Sequence, residues 1–239
     1  MVRTLSSPLI ATGTVACLVL AGCGMSHDDY SGPPVHTSES VELGRTESTR
    51  AVIRMGAGEL RIAGGSAKLM DADFTSSNPN AKPRIEYHAT GSRGQLNIEQ
   101  PNMTSGGKGP HQWDLRFNDA QPLDLEMHFG AGEAKLNLGA LTLRSLEINI
   151  GVGELDLDLR GTPKRDYDVR IHGGVGEATI RLPKDVAIKA EARGGIGDID
   201  MKGLEKRGGR WVNPGHEDAP VTIHLDVSGG VGSIRVLVE

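Results

Sequence analysis

Cysteine is almost absent from this chain. Its 239 residues include only Cys17 and Cys23, both close to the N-terminus. The rest of the chain therefore has no thiol for a disulfide, a metal site or a nucleophile. Aromatic residues are also scarce, at 3%, whereas glycine contributes 33 residues. This composition indicates a thin, layered β-structure rather than a bulky globular core.

An excess of positive charge is missing as well. The chain carries 26 Lys and Arg against 31 Asp and Glu, for a formal net charge of −5. Without a basic block or an aromatic-rich basic patch, nucleic acid is not an expected partner. The chain also lacks an apolar run of the ~20 residues that a membrane-spanning helix needs.

The N-terminal segment is typical of a secreted lipoprotein. Arg3 is the only charge before a short apolar run over residues 9–20, which ends in Leu20-Ala21-Gly22-Cys23. This ending resembles the lipobox of bacterial lipoproteins, and the resemblance implies cleavage before Cys23 and a covalent lipid on its sulfur. The alternative is an ordinary signal peptide with a chance cysteine.

This resemblance sets the expected layout of the N-terminal region. Residues 1–22 are then the signal peptide, and residues 23–50, rich in Pro, Ser, Thr and acidic residues, form a lipidated flexible tether. The folded part is expected outside the cytoplasm, anchored to the cell membrane or the outer membrane.

A short glycine pattern occurs six times in the remainder. From the second copy onward, the starts are separated by 21, 23, 21 and 35 residues, which defines an internal repeat. Each copy has the form Gly-x-Gly followed by a polar residue. The glycine pairs are Gly56 and Gly58, Gly130 and Gly132, Gly151 and Gly153, Gly174 and Gly176, Gly195 and Gly197, and Gly230 and Gly232.

The apolar residues around each glycine pair alternate with polar ones, which is the periodicity of a strand. In the third copy the apolar residues have one parity up to the corner, including the residue between the two glycines, and the other parity after it. They are Leu146, Ile148, Ile150 and Val152, followed by Leu155, Leu157 and Leu159. A strand keeps its apolar face inward through such a change only if the backbone bends there, and glycine permits the bend.

Each copy is therefore predicted to be a strand, a glycine corner and a second strand. Because one copy has too little apolar area to be stable alone, successive copies are expected to stack. The predicted fold is all-β, a β-solenoid-like stack of coils of about 21 residues. A β-sandwich of bent hairpins is the alternative, since the sequence does not specify parallel or antiparallel pairing.

The repeat divides the folded part into two regions. Residues 51–122 form an N-terminal β region with strands predicted at 68–74, 84–88, 95–99 and 112–117 and an exposed loop at 102–110. Residues 123–239 form the C-terminal repeat region, interrupted by an insertion at 203–220 with a hairpin around Trp211. Trp113 and Trp211 are expected to fill the ends of the stack; exposed binding platforms are the alternative.

An acidic residue follows the corner in five copies. If the copies stack about 4.8 Å apart, adjacent like charges repel by roughly 1 kcal/mol in water. Backbone N–H groups at the corner, basic neighbours such as Arg54, Lys135 and Arg193, or bound Ca²⁺ would offset this repulsion. Capping of the corner is the favoured interpretation and a calcium site the alternative. The acidic residues are Glu59, Glu133, Glu154, Glu177 and Asp198, with Ser233 in the sixth copy.

The sequence supplies no catalytic constellation. The glycine pairs lack the third glycine of a dinucleotide fingerprint and lead into strands rather than helices. The eight histidines show no metal-ligand spacing. His128 and His172 both lie two residues before a corner, on the predicted outward face, but in copies separated by another one. We therefore expect no catalytic residue, no metal and no cofactor apart from the lipid on Cys23.

The glycine corners, the segment Trp113–Phe117 and the segment Trp211–Asn213 give the chain a family resemblance. From about Ala51 to Glu239 it resembles the bacterial toast-rack family, which is related to the extracytoplasmic part of LiaF-type cell-envelope stress proteins and to glycine-repeat "putative adhesin" domains. The resemblance implies an all-β repeat at the envelope, without a catalytic site to transfer. This chain differs from LiaF-type regulators in having a lipid anchor instead of membrane-spanning helices.

Taken together, these features predict a non-enzymatic, membrane-tethered binding or scaffold module at the bacterial cell envelope, within an envelope-stress response. A surface adhesin or structural lipoprotein is the second hypothesis. A glycan hydrolase is the third and requires a groove with two carboxylates at catalytic separation. The expected partners are the membrane, through the lipid, and an envelope protein or glycan.

Overall fold

The computed structural model describes residues 33–78, 81–101 and 111–239. The signal peptide, Cys23, the first part of the tether and the predicted loop at 102–110 lie outside these residues. The described residues form fourteen strands and no helix, so none of them forms a helix able to cross a membrane. The strands are β1 (Val35–Val41), β2 (Ser48–Ala63), β3 (Met70–Ser76), β4 (Arg84–Thr90), β5 (Arg93–Glu99), β6 (His111–Phe117), β7 (Leu123–Asn137), β8 (Leu143–Asp158), β9 (Tyr167–Leu182), β10 (Ala187–Ile196), β11 (Ile199–Lys202), β12 (Glu205–Arg207), β13 (Arg210–Val212) and β14 (Thr222–Val238).

Each glycine copy is one long bent strand with two arms, as the parity change predicts. In β8, Leu146 and Ile148 are buried before the corner, and Leu155 and Leu157 are buried after it. β2, β7, β9 and β14 have the same two arms, whereas the fifth copy is divided into β10 and β11. The inner faces of all the arms enclose one continuous hydrophobic core, mostly of aliphatic side chains. Each fully buried Leu or Ile side chain contributes about 1.5–3 kcal/mol by leaving water.

The bent strands stack in parallel, which confirms the solenoid-like arrangement over antiparallel hairpins. Their spatial order is β2, β7, β8, β9, β14 and β10. At one place, however, copies that follow each other in the chain are not neighbours in the stack, so the expectation that successive copies stack is wrong there. The last strand, β14, lies between β9 and β10 and pairs in parallel with both. The copies have equivalent apolar faces, so their pattern does not specify this order.

Additional strands cover the β2 end of the stack. β5 pairs with the first arm of β2 and β6 pairs with the second, both in parallel. β4 then adds to β5, and β3 to β6, in antiparallel orientation. The four strands predicted between residues 68 and 117 thus all form, with ends that differ by a few residues. The predicted hairpin forms at the opposite end, as β12 and β13, and β13 pairs with β10.

Both tryptophans lie near the ends of the stack, as predicted. Trp113 on β6 is 3% exposed and packs edge-to-face on Phe74, with ring centroids 5.3 Å apart. Trp211 on β13 is half-buried against the core, with the Lys206 ammonium 5.8 Å from the ring centroid. Neither indole is an exposed platform.

Part of the segment expected to be a flexible tether is ordered. Val35–Val41 forms β1 and pairs along its whole length with β3 in antiparallel orientation. Its side chains are exposed or half-exposed, so the apolar pattern that identifies a strand is missing. Beside the ladder of backbone hydrogen bonds, Ser38 donates to the Asp73 carboxylate at 2.6 Å, and His36 and Ser40 also form side-chain hydrogen bonds.

Candidate binding surface along the glycine corners

The two glycines of each corner are required for different reasons. The second one, for example Gly153 with φ +143°, lies in a backbone region that side chains rarely adopt. The first one has no positive φ, but in the stacked copies it lies against the carbonyl of the preceding copy. A Cβ on Gly151 would stand 2.4 Å from the carbonyl oxygen of Gly130, and one on Gly153 only 1.8 Å from that of Gly132. The glycines thus let the corners stack in close contact.

The first copy differs because no other corner lies beneath it. A Cβ on Gly56 would meet only the Gln100 side-chain oxygen, at 3.4 Å. That oxygen accepts from the N–H of Gly56 at 2.7 Å and from the N–H of Ala57 at 3.4 Å. Gln100 therefore accepts hydrogen bonds from the backbone N–H groups on the side of this corner where the stack has no further copy.

An apolar ridge runs along the outside of the corners. It consists of the residue between the two glycines in each copy, and neighbouring members pair in register across the sheet. This position belongs to neither inner face, because the apolar parity changes there. Val152, Val175 and Ile196 are consequently 54%, 50% and 74% exposed. In spatial order the apolar ridge is Ala57, Ala131, Val152, Val175, Val231 and Ile196.

The predicted acidic column borders one side of this apolar ridge. Glu59, Glu133, Glu154 and Glu177 are adjacent in register, but Ser233 lies between Glu177 and Asp198 because of the position of β14. Four of the five acidic residues are therefore adjacent along the stack, and Asp198 is separated from them by Ser233.

Within the described residues, no hydrogen bond joins these carboxylates to a backbone N–H group of a corner, so the expected capping is not observed. Glu59 pairs with Arg61 at 2.5 Å, and the Lys135 ammonium lies 2.7 Å from Glu133 and 3.9 Å from Glu59. The Glu133 carboxylate holds the pKa of Lys135 above its ordinary value. Ion pairs with basic neighbours, which include the predicted Lys135, thus offset the repulsion at the β2 end. No ion pair within the described residues involves Glu154 or Glu177.

The other side of the ridge is a polar row, formed by the outward residues two positions before the first corner glycine. His128 and His172 lie in this row with Asn149 between them, as the sequence predicts. His128 bonds Glu126 at 2.7 Å and His172 bonds Ser228 at 2.7 Å. The hydrogen bond from His128, helped by Arg50, holds the pKa of the Glu126 carboxyl below its ordinary value. From one end to the other the polar row is Arg54, His128, Asn149, His172, Ser228 and Arg193.

An open groove of about 970 Å³ follows the polar row and the backbone of the corners. At the β2 end its wall is formed by Gln100, Pro101 and His111. Burial lowers the pKa of His111, which bonds Ser76 at 3.0 Å. Glu99 is the one carboxylate among the described lining residues, so this groove does not provide the two carboxylates that acid-based glycan hydrolysis needs. Its polar lining can contact a polar ligand and includes Arg54, His128, Asn149 and His172.

Metal chemistry has no support from the described part of the chain. Within residues 33–78, 81–101 and 111–239, no three His, Cys, Asp or Glu side chains lie close enough together to hold a metal ion. The acidic column lacks a calcium geometry because its members are spread along the stack instead of converging. Cys23, the predicted lipidation site, lies outside the described residues.

Reasoning from sequence placed His128 and His172 on the outward face but missed the apolar ridge, because it treated the residue between the glycines, such as Val152, as part of the inner face. The signal was available, since this position is Ala, Val or Ile in every copy. Its outward direction becomes clear only when the parity change is assigned to the corner itself.

Comparison with known proteins identifies relatives of the whole folded part. Residues 30–181 match the family described as the N-terminal domain of toast_rack, and residues 129–236 match the C-terminal domain of LiaF, described as a cell wall-active antibiotics response protein. No curated protein matches the chain.

Among solved structures, a "putative cell adhesion protein" from Clostridium sporogenes is 32% identical, with 87% of this chain and 100% of that chain covered and a TM-score of 0.83. A "putative adhesin" from Bacteroides fragilis is 12% identical, with 87% and 98% covered and a TM-score of 0.37.

Proposed function

This chain belongs to the toast-rack family, and from that premise we propose that it is a non-enzymatic binding module tethered by lipid at the bacterial cell envelope. The LiaF-like and adhesin-like relatives support an envelope-associated domain of the stress-response or adhesin kind. Neither family match is to an enzyme, and the groove at the corners lacks a carboxylate pair.

The observation that carries the proposal is the surface along the corners. The apolar ridge exposes Val152, Val175 and Ile196 in one line, and a continuous exposed apolar patch on a folded protein is typical of an interaction site. The ridge lies between the polar row and the acidic column, so one face offers apolar contact with polar groups on both sides. This arrangement is typical of protein interaction sites, with an apolar centre and a polar rim. Its partner would be an extended envelope protein or a glycan.

The lipid anchor is the finer part of the proposal. The sequence ending at Cys23 resembles a lipobox, and the described chain begins beside β1, at the β2 end of the sheet. Nine residues lie between Cys23 and Pro33, so the ten steps along the chain span at most about 36 Å when extended. The anchor would thus hold the β2 end near the membrane and leave the β10 end farther from it.

A surface adhesin is the second candidate, favoured by the resemblance to the Clostridium sporogenes protein. Whole cells treated with protease separate the two: an outward-facing adhesin is degraded, whereas a module on the inner side of an outer membrane is protected. A glycan hydrolase would instead require that envelope-glycan turnover depends on carboxylates of this chain.

The anchor is tested by fractionation. Replacement of Cys23→Ala in the full chain should move the protein from the detergent phase to the aqueous phase and abolish labelling by a fatty-acid probe. Unchanged partition would refute lipidation.

The binding surface is tested separately, by crosslinking and pull-down of the anchored protein. Val175→Glu on the apolar ridge should remove the captured partner, whereas His224→Glu, an exposed position on the neighbouring strand away from the corner, should retain it. Equal capture by the two variants would refute the ridge as the binding surface.

A further inference from the structure

One corner strand in the described structure has an unpaired side. β2, β7, β8, β9 and β14 have neighbours on both sides, but β11 pairs only with β14. β10 is paired by β14 on one side, and on the other by β13 only at Lys189 and Ala190. Arg210 of β13 then reaches Glu191, with its guanidinium 2.7 Å from that carboxylate. The stretch from Ala192 to Met201, here called the free edge, therefore presents unpaired backbone groups beside exposed Ile196 and Ile199.

Unpaired strand edges bind other strands, and this edge restricts what it accepts. Throughout the stack, a corner glycine lies directly over the carbonyl of the copy before it. For the last copy, a Cβ on Gly195 would stand 2.3 Å from the Gly230 oxygen, and one on Gly197 1.7 Å from the Gly232 oxygen. A further parallel strand would thus need its own Gly-x-Gly corner. Within the described structure the other corners are covered: those of β7, β8, β9 and β14 by a corner on each side, and that of β2 by the corner of β7 on one side and by Gln100 and His111 on the other.

A second molecule in the opposite orientation avoids this steric requirement, because its corner glycines direct their missing Cβ toward its own β14 and not toward the free edge. We propose that two copies of this chain associate through their free edges about a twofold axis that passes between Ile196 and Gly197. The axis exchanges the two arms, so that β10 of one copy pairs antiparallel with β11 of the other. Because the corner glycines direct their missing Cβ toward β14, they leave the facing side open.

The alternation of side chains agrees with this register. Ala192 faces the core on β10, and Ile199 and Met201 face it on β11, so the parity differs between the arms. A twofold axis between Ile196 and Gly197 places Ala192 opposite the partner's Met201, and the inner faces stay inside. This register also pairs the whole free edge, because Ala192 at one end of the edge lies opposite the partner's Met201 at the other end. A register shifted by two residues toward β10 would collide with β13.

Charge complementarity favours the same register. On the outer face, Arg193 comes opposite the partner's Asp200, twice in the dimer. Arg193 is 62% exposed and pairs with Asp226 on β14 and with Glu191. Asp200 pairs with Lys202 at 3.5 Å. Both side chains are exposed, so each would gain a further partner of opposite charge across the interface. A register shifted by two residues toward β11 would set Arg193 against Lys202 instead. Such cross-strand charge pairs stabilise the favourable register and disfavour the other.

The dimer extends the proposed binding surface. The two Ile196 side chains meet at the axis, so the apolar ridges of the two copies join into one. This inference does not depend on the proposed function, because it concerns the free edge and not a partner on the ridge.

Engineered disulfides test the register in the full chain, in the membranes of the producing cells. Arg193→Cys with Asp200→Cys should give a disulfide-linked dimer on a gel without reductant. Arg193→Cys with Lys202→Cys is the register control, because diagonal positions are about 7–8 Å apart and do not bond well. Arg193→Cys alone is the background control. The proposal is overturned if the first pair stays monomeric or if the register control links equally well.

A charge reversal gives the second measurement, on the purified full chain in detergent by analytical ultracentrifugation. Asp200→Lys should raise the dimer dissociation constant about tenfold or more, since two attractive pairs become repulsive. Asp185→Lys, the same change at an exposed turn before β10, should leave it unchanged. A monomeric wild type, or equal dissociation constants for the two variants, would overturn the proposal, and a dimer insensitive to Asp200→Lys would use another surface.

Discussion

Three glycine-to-alanine substitutions separate the two reasons for the glycine corners. Gly56→Ala meets no corner below it, and its Cβ would stand 3.4 Å from a flexible glutamine. Gly130→Ala keeps the same kind of backbone but places its Cβ 2.2 Å from the Gly56 carbonyl oxygen. Gly153→Ala adds a positive φ of 143° to an approach of 1.8 Å. The series thus introduces no defect, then one defect, then both.

The expected losses of unfolding free energy follow in that order. Gly56→Ala should be neutral or stabilise by up to about 1 kcal/mol, because alanine lowers the entropy of the unfolded chain. Gly130→Ala should cost about 1–3 kcal/mol, the usual cost of overpacking. Gly153→Ala should cost roughly 3–5 kcal/mol, since backbone strain of about 1–3 kcal/mol is added. The last value is a large part of the ~5–15 kcal/mol by which domains are stable.

Urea unfolding provides the assay, followed by the fluorescence of Trp113 in the core and by circular dichroism. The three variants should share one slope against urea and differ in midpoint. If the Gly130→Ala and Gly56→Ala variants were equally stable, the first glycine of the pair would not be required for close stacking of the corners. If Gly153→Ala lowered the free energy of unfolding no more than Gly130→Ala does, the positive φ of Gly153 would add nothing to the requirement for glycine.

Three further predictions concern Gln121, Glu126 and the effect of Ca²⁺. Gln121 is 8% exposed and donates to the Thr46 carbonyl at 3.1 Å and to the Thr46 and Thr49 hydroxyls at 3.3 Å, so Gln121→Ala should destabilise the protein by about 1–3 kcal/mol in the same urea assay. The lowered pKa of Glu126 stabilises the fold above its ordinary pKa of 4.5, and this contribution is lost as the pH falls through the folded-state value. In an NMR titration, His128→Ala should raise that pKa and His224→Ala should leave it unchanged. Millimolar Ca²⁺ should leave the melting temperature of the protein unchanged, and a rise would revive the calcium interpretation of the acidic column.

The sequence was sufficient to predict the two arms of each copy, because the parity change around residues such as Ile150 and Leu155 has one simple structural solution. It was also sufficient for the outward histidines and the hairpin at Trp211. These features depend on residues near each other in the chain.

The order of the copies required long-range information. β14 takes its place between β9 and β10 although Val227 and Val169 differ little in chemistry from the residues of other copies. β1 was missed because a strand whose side chains face solvent, such as Ser38 and Ser40, carries no apolar pattern. Lys135 was predicted as a basic neighbour of the acidic column, but its approach to Glu59 as well as Glu133 depends on the register of β7 on β2, which the sequence does not specify.

The measurement that tests the central claim most directly is photocrosslinking at the apolar ridge in living cells. A photoreactive amino acid at Val175 of the anchored full chain should yield a discrete adduct with a partner from the envelope, whereas the same amino acid at His224 should yield none. Adducts of equal yield at both positions, or at His224 alone, would contradict the assignment of the glycine corners as the binding surface.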